Sequence, residues 1–336
     1  MIILIELSIL FVVSMILTGL MRIYVLHKNI LDVPNDRSSH LLPTPRGGGV
    51  SFSLLFTISS LWLVLQHKIP ISLFYALSGG ILIAIIGWLD DVISIHAKWR
   101  AMMHVVVASW AVYWIGGVSE LGIVGYPLAI VGIVWCINLY NFMDGIDGLA
   151  SVEGIFISLS AALALSLLGI SGISLLCLLL AGIIAGFLVW NWPPAKIFMG
   201  DVGSGYLGYV FSVLAIATTN FNMLSLAFWM TIAAVFLCDA TFTMLYRLFN
   251  GERWYEAHRK HAYQRLVKYG FDHRTVTLGV LFINLFILFP VALVIFLKPH
   301  WYFGILSLVI AWLFILWMFI VKYFVYKIQA ELLPSQ

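Results

Sequence analysis

Long apolar runs alternate with short polar stretches along the whole chain. Eleven runs have the length of about twenty residues that a helix needs to cross the hydrocarbon core of a bilayer. They lie near residues 2–26, 47–66, 70–89, 100–116, 121–137, 149–169, 171–190, 205–220, 223–245, 277–297 and 300–326. The pattern predicts an all-α polytopic membrane protein with about eleven transmembrane helices, in a single integral membrane domain that covers residues 1–336.

The composition agrees with a membrane protein and excludes several other classes. The chain is 62% hydrophobic and 10% charged, and its mean hydropathy is +1.05. The first run is long for a signal peptide and lacks a basic start, so we expect a retained helix. The three cysteines lie in apolar runs without metal-ligand spacing, which argues against a zinc site or a disulfide framework. No nucleic-acid partner is expected.

The basic residues give the chain an orientation. If the connection at 27–46 is cytoplasmic, alternation of the spans places sixteen of the eighteen Lys and Arg residues on that side. Only Lys68 and Lys298 fall on the other side. This bias follows the positive-inside rule and predicts that the five longer connections face the cytoplasm.

The main polar clusters also fall in those five connections. The central one is Asn138–Gly148, which combines amides, carboxylates and glycines at the end of an apolar run. Within it, Asp144 and Asp147 would share a face if the segment is helical. Asn, Asp and Gly also form ordinary turns, and that alternative stays open. We predict that the five connections build one active-site cleft facing the cytoplasm.

The acidic and basic residues of these connections suit a metal-bound phosphate ligand. Five aspartates are typical of a site for a hard cation, Mg²⁺ or alternatively Mn²⁺; they are Asp90, Asp91, Asp144, Asp147 and Asp201. A second group could neutralise a pyrophosphate; it consists of Arg46, Lys98, Arg100, Arg259 and Lys260, with His258 and His261. The glycine-rich stretches Gly47–Gly49 and Gly203–Gly205 would let backbone amides approach the phosphates. Helix capping by Asp90-Asp91, and an orienting role for Lys98 and Arg100, are the simpler alternatives.

Three further residues stand out by position. His258 and His261 would share a helical face at their spacing of three, and they could bind phosphate or metal. Asp239 is interpreted as the only intramembrane acid, functional by default unless it pairs with a neighbouring helix. Six other histidines are expected to be structural; they are His27, His67, His96, His104, His273 and His300.

Four motifs in order resemble those of the polyprenyl-phosphate N-acetylhexosamine-1-phosphate transferase family, over nearly the whole chain. They are Asp90-Asp91, Asn138–Gly148, Asn191 with Phe198–Asp201, and His258–His261. The resemblance implies transfer of a sugar 1-phosphate from a UDP-N-acetyl sugar to undecaprenyl phosphate, with Mg²⁺, giving the lipid diphosphate sugar and UMP. It therefore implies a bacterial inner membrane, with membrane lipid around the enzyme. Because one pyrophosphate linkage replaces another, we predict a reversible reaction.

The same resemblance assigns roles to residues. Asp201 would be the chief Mg²⁺ ligand, Asp91 its neighbour at the metal, and Asp90 the base or the organiser of the lipid phosphate. Asp144 would contact the nucleotide, Asp147 and Asn191 would order the diphosphate, and Phe198 would stack on uracil. His258, Arg259 and His261 would hold phosphate. Asn138 and Asn141, in the same motif, are further candidates for substrate binding.

One departure from the family bears on the substrate. The peptidoglycan translocase of this family carries three adjacent histidines where this chain has His258-Arg-Lys-His261, so a muramyl-pentapeptide donor is not expected. The loop, with Pro34–His40 and Thr44–Gly49, resembles the branch that initiates O-antigen, a part of lipopolysaccharide, and related surface polysaccharides. The resemblance favours a 6-deoxy donor sugar such as N-acetylfucosamine or N-acetylquinovosamine. UDP-N-acetylglucosamine is the alternative.

A secondary transporter or lipid flippase is the alternative from another class. Such a protein should carry its polar groups near the membrane midplane and show internal repeats. Here the carboxylates gather at the ends of the apolar runs, and no repeat is visible.

For the transferase, we expect a groove between helices that holds the polyprenyl chain, and a fifth connection that covers the sugar. The sequence leaves the oligomeric state open, a homodimer included.

Overall fold

The computed structural model describes residues 2–34, 42–252 and 258–332, and this part of the chain is almost entirely helical. Its α-helices are α1 Ile2–His27, α2 Gly49–Leu65, α3 Ile71–Ile93, α4 Ala97–Ile115, α5 Gly125–Met143, α6 Leu149–Leu167, α7 Ser171–Asn191, α8 Asp201–Asn220, α9 Leu226–Ile232, α10 Ala234–Phe249, α11 Ala262–Tyr269, α12 His273–Ile283, α13 Phe289–Leu297 and α14 Tyr302–Leu332. Two short strands, β1 Leu31–Asp32 and β2 Thr44–Pro45, pair antiparallel.

The prediction of an all-α polytopic membrane protein is confirmed, because every predicted apolar run is helical. Within the described residues, eight helices are long and apolar enough to span a membrane. The number is nine if α9 and α10, which meet at a bend of 80°, form one span. Two of the eleven predicted spans fall short, because α2 has only 17 residues and α4 carries Lys98, Arg100 and His104.

Two predicted connections have different boundaries. Helix α5 continues to Met143, so Asn138 and Asn141 lie on its last turns and not in a loop. Residues 144–148 form a turn, which means that the helical face expected for Asp144 and Asp147 does not exist. Helix α8 begins at Asp201, four residues earlier than the predicted span.

Helix α8 is the centre of the bundle. Every residue from Val202 to Thr219 is buried, and α3 and α5 pack closely on either side. A Cβ added at Gly208 would lie 2.3 Å from the carbonyl oxygen of Cys136 on α5. A Cβ added at Gly87 of α3 would lie 2.5 Å from the backbone nitrogen of Val202. These small residues let the backbones touch, and the contact fixes the beginning of α8 between the ends of α3 and α5.

Asp239 is not the only acid inside the bundle, so that part of the sequence interpretation is wrong. Glu153 on α6 is fully buried, and one of its carboxylate oxygens accepts a hydrogen bond from the amide nitrogen of Asn284. Asn284 begins a five-residue π-helical segment, residues 284–288, between α12 and α13. This hydrogen bond connects α6 to the π-helical segment, although Glu153 and Asn284 are 131 residues apart.

Candidate active site

Asp201 lies where three helices meet. It is the first residue of α8 and follows Gly200, whose φ of +74° favours glycine. One carboxylate oxygen accepts a hydrogen bond from Nδ2 of Asn141 on α5 at 2.8 Å. The other accepts from Nη1 of Arg100 on α4 at 2.6 Å. The start of a helix also stabilises a negative charge, so the position of Asp201 suits a carboxylate.

Arg100 joins the second connection to the fourth. Its Nη1 atom contacts Oδ2 of Asp90 as well as Asp201. The other oxygen of Asp90 accepts a hydrogen bond from the backbone nitrogen of Ile95 at 2.6 Å, which closes the end of α3. The guanidinium therefore holds together two carboxylates that would otherwise repel each other.

Asp91 has one unused oxygen in a buried position. Its Oδ1 accepts from the backbone nitrogen of Asp201 at 3.3 Å and lies 3.9 Å from Nε of Arg46. Its Oδ2 is buried and has no hydrogen-bond partner within the described residues, and the same is true of Nε of Arg46. Gly200 makes room for it, because a Cβ there would lie 2.3 Å from Oδ2. A buried carboxylate oxygen without a partner is unfavourable, which marks this atom as a place for a ligand.

A small polar cavity of about 50 Å³ lies beside these residues. Arg100, Asn141 and Asp201 line it, together with Asn138 and His104. Nδ2 of Asn138 donates to the carbonyl of Val134 at 2.7 Å, so its side-chain oxygen is left for other partners. Lys98 lies apart from this group: it is exposed at the start of α4, and its ammonium has no partner in the described part of the chain.

The turn at 144–148 brings two more carboxylates to the site. Burial, followed by the charges of Asp201, Asp91 and Asp147, raises the pKa of Asp144 well above its usual range. Oδ2 of Asp147 accepts from the backbone nitrogen of Ala195 at 3.0 Å and lies 3.3 Å from Nδ1 of His273.

The sequence interpretation left His273 among the structural histidines. No local signal pairs it with Asp147, which precedes it by 126 residues.

Asn191 holds two connections together. It is 2% exposed, and its side-chain oxygen accepts from the backbone nitrogen of Gly148 at 3.2 Å and from Oγ of Ser151 at 2.8 Å. Its Nδ2 donates to the carbonyl of Ile197 at 3.1 Å. The geometry gives Asn191 a positioning role, while its predicted contact with a diphosphate stays a prediction.

The backbone of Phe198 fixes the glycine-rich end of the first connection. Its nitrogen donates to the carbonyl of Pro45 at 2.8 Å, and its carbonyl accepts from Gly48 at 2.9 Å. Its ring is half-buried, and the predicted stacking on uracil stays a prediction. Residues 35–40 of the first connection, which carry the motif Asn-Asp-Arg-Ser-Ser-His, lie outside the described residues.

The histidines of the fifth connection are neighbours, but they do not lie on a helix. Residues 258–260 are irregular and His261 precedes α11, so the predicted helical face is wrong. The rings of His258 and His261 nevertheless stack with centroids 4.7 Å apart. Burial, and then the charges of His261 and Arg247, lowers the pKa of His258 to about 3, so this ring is neutral at pH 7. Nε of Arg259 is buried without a hydrogen-bond partner among the described residues.

The donor atoms fit a magnesium ion that is shared with a substrate. Within the described ranges, no three His, Cys, Asp or Glu side chains surround a common point as a protein-only metal cage would. Mg²⁺ usually takes one or two carboxylates and completes its shell with water and phosphate oxygens. Asp91, with its free Oδ2, and the adjacent Asp201 meet that smaller requirement.

Comparisons with known proteins show which transferases the chain is similar to. The model of a family described as glycosyl transferase family 4 matches residues 73–219, from α3 to α8. A Bacillus subtilis protein described as a probable undecaprenyl-phosphate N-acetylglucosaminyl 1-phosphate transferase is 29% identical over 292 residues, 82% of this chain and 81% of its own. The chain is thus similar, over most of its length, to transferases that by their names act on a polyprenyl phosphate and N-acetylglucosamine 1-phosphate.

Two other relatives show how broad this family is. The decaprenyl-phosphate N-acetylglucosaminephosphotransferase of Mycobacterium leprae is 27% identical over 338 residues, 86% of this chain and 83% of its own. A phospho-N-acetylmuramoyl-pentapeptide-transferase of Streptococcus thermophilus is 32% identical over 209 residues, 54% of this chain and 62% of its own. These relatives are all named as transferases, and the region that the family model matches contains Asp90, Asp91, Asp144, Asp147 and Asp201.

Proposed function

We propose that the protein transfers an N-acetylhexosamine 1-phosphate from a UDP-sugar to undecaprenyl phosphate, which yields the lipid diphosphate sugar and UMP. One observation carries the proposal. The carboxylate of Asp201 is held by Arg100 and Asn141, while its backbone nitrogen bonds to Asp91, so four helix ends converge on one acidic centre. Similarity to the transferases described above supports the reaction class.

The residues at this centre suit the reaction of two anions. The main barrier is to bring the acceptor phosphate against the donor diphosphate, so positioning and neutralisation matter more than a strong base. Arg46 and Arg100 supply positive charge on two sides of Asp91 and Asp201. Oδ2 of Asp90 is taken up by Arg100, and this favours an organising role for Asp90 over a role as general base.

Magnesium is part of the proposal. Asp91 and Asp201 would hold it through carboxylate oxygens, with Mn²⁺ as a substitute ion. When bound, the ion would neutralise phosphate oxygens of the donor as their bonds rearrange. The unpartnered Oδ2 of Asp91 is the observation that supports this placement.

The donor sugar is the finer part of the proposal. The B. subtilis and M. leprae relatives are named for N-acetylglucosamine, which supports UDP-N-acetylglucosamine as donor. The 6-deoxy sugars N-acetylfucosamine and N-acetylquinovosamine, with a place in O-antigen synthesis, rest on loop motifs alone.

A transfer assay tests the reaction, the metal and the sugar together. Purified protein would receive undecaprenyl phosphate, Mg²⁺ or Mn²⁺, and one of three radiolabelled donors: UDP-N-acetylglucosamine, UDP-N-acetylfucosamine or UDP-N-acetylquinovosamine. We expect labelled lipid and UMP, loss of both with EDTA, and loss of both in Asp201→Ala. Asp272→Asn is the matched control, because Asp272 is an exposed cap of α12. If no donor gives transfer, the proposal is rejected and the transporter hypothesis is favoured instead.

The polyprenyl chain needs an apolar groove that faces the lipid. One groove of about 500 Å³ lies between α1, α2, α3 and α8 and ends at Trp88, which packs on Gly47 next to Arg46. A second groove of about 260 Å³ lies between α5, α8, α9 and α10. Ala84 lines the first, and Gly132, where an added Cβ would meet open space, lines the second. If the first groove holds the acceptor, Ala84→Trp should raise KM for undecaprenyl phosphate and leave KM for the UDP-sugar unchanged. If the second groove holds it, Gly132→Trp should have this effect instead.

We also propose that the site faces the cytoplasm from a bacterial inner membrane. Lys28 and Lys68 are both exposed, and the basic-residue pattern assigns them to opposite sides. Cysteine variants at these positions would be treated in whole cells with a membrane-impermeant maleimide. We expect labelling at position 68 and protection at position 28, and the reverse result would invert the topology.

A further inference from the structure

Asp239 is a buried carboxylate in α10 that the proposed reaction does not use. It is 7% exposed and comes six residues after Ala233, where α9 and α10 meet at the bend. A buried ionised carboxylate is unfavourable unless hydrogen bonds compensate for the lost water. Its partners therefore indicate what it does.

All the backbone partners of Asp239 belong to the beginning of α11. Its Oδ1 accepts from the backbone nitrogen of Ala262 at 2.8 Å, and its Oδ2 accepts from Tyr263 at 3.2 Å. The capping position itself is occupied by His261, whose backbone nitrogen bonds to Gln264 at 3.4 Å. The free amides at a helix start are thus satisfied by a carboxylate from another helix. Such a cap fixes where α11 begins relative to α10.

Asp239 is itself held in place. Oγ1 of Thr243, one turn further along α10, donates to its Oδ1 at 3.1 Å. The indole nitrogen of Trp317 on α14 donates in turn to Oγ1 of Thr243 at 3.2 Å. The chain of bonds connects α14, α10 and α11, so Asp239 has little freedom to move.

The start of α11 leads directly to the histidine pair and to the end of α5. The phenol of Tyr263 donates to the carbonyl of Phe142 at 2.8 Å. The ring of His261 stacks against Phe142 with centroids 6.2 Å apart, and it also stacks against His258. Phe142 lines the cavity that Asp201 also lines.

From these contacts we infer that Asp239 is a positioning residue, which places the His258–His261 pair against the end of α5, beside the acidic centre. The role of the histidines in this inference rests on the proposed function, whereas their placement by Asp239 does not. His261 has its Nδ1 3.8 Å from Oδ1 of Asp239, too far for a hydrogen bond, so the backbone contacts carry the placement. The carboxylate makes no contact with substrate in this scheme.

The test combines kinetics with a measurement of structure. Asp239→Ala removes both acceptors, whereas Asp239→Asn keeps one side-chain oxygen and should rescue part of the effect. We expect Asp239→Ala to lower kcat/KM for the UDP-sugar by about ten- to a hundredfold, as misplaced active-site groups do. KM for undecaprenyl phosphate should stay unchanged. Hydrogen–deuterium exchange should show faster exchange in residues 258–270.

A second cap provides the control. Ser225 caps α9 by accepting from the backbone nitrogen of Phe228, 3.2 Å from its Oγ, and α9 precedes the bend. Ser225→Ala should lower stability without faster exchange at 258–270 and without the selective effect on the UDP-sugar. Equal kinetic losses in both variants, or unchanged exchange in Asp239→Ala, would overturn the inference. If the wild type transfers no sugar, the proposed function fails, and the exchange data alone then decide the placement.

Discussion

Nη1 of Arg100 lies 2.6 Å from Oδ2 of Asp201, although the two residues are 101 positions apart. The same nitrogen contacts Asp90, so one guanidinium neutralises two of the carboxylates assigned to the site. A cation at Asp201 would compete with this arginine for the same oxygen. We therefore expect that Arg100 and a metal ion both neutralise the carboxylates of the acidic centre.

Arg100→Ala should slow transfer by about a hundredfold, the usual loss when one charged group that stabilises the reacting centre is removed. Because Asp90 and Asp201 are then free of their arginine, the Mg²⁺ concentration for half-maximal rate should fall. Both quantities come from a magnesium titration of the transfer rate. The control is Arg274→Ala, an exposed arginine in the first turn of α12. A wild-type rate in Arg100→Ala would contradict the shared role.

The sequence was sufficient to predict where the helices lie, since each apolar run is mainly helical, and to select the motifs that meet at Asp201. Its errors come from interactions that periodicity cannot reveal. The bend between α9 and α10 interrupts a continuous apolar run without a proline. Burial of Glu153 depends on an amide 131 residues away. His258 and His261 stack through an irregular segment, although spacing alone suggested a helix.

Asn191→Ala should lower both stability and transfer. It removes three hydrogen bonds in a buried position and leaves the backbone nitrogen of Gly148 without its partner, at a cost of about 1–3 kcal/mol. The turn that carries Asp144 and Asp147 loses its support at the same time. Thermal unfolding in detergent and the transfer rate measure the two effects.

Asn220 offers a matched control for this variant. Its Oδ1 accepts from the backbone nitrogen of Ser119, and its Nδ2 donates to the carbonyls of Ile115 and Gly117, so it ties the α4–α5 connection to the end of α8. Asn220→Ala should lower the unfolding temperature similarly but reduce transfer less. Equal losses of transfer would mean that Asn191 acts through stability alone.

Gly145→Ala should push α11 away from the end of α5. A Cβ at this position would lie 2.1 Å from the phenol oxygen of Tyr263 and 3.1 Å from its ring. We expect reduced transfer in Gly145→Ala, a milder effect in Tyr263→Phe, and partial recovery when both changes are combined, because the double variant lacks the clashing oxygen. Gly279→Ala, with open space around its Cβ, is the control. A double variant as impaired as Gly145→Ala would argue against this contact.

Glu153→Gln should be at least as stable as the wild type, while Glu153→Ala should lose about 1–3 kcal/mol of unfolding free energy. In the structure Oε1 of Glu153 and Oδ1 of Asn284 are both buried acceptors without a partner among the described residues. A glutamine would accept from Nδ2 of Asn284 through its oxygen and donate to Oδ1 through its nitrogen, and a carboxylic acid that keeps its proton can do the same. Thermal unfolding of the three proteins at one pH measures the order. A glutamine variant as unstable as the alanine variant would show that the pair needs an ionised carboxylate.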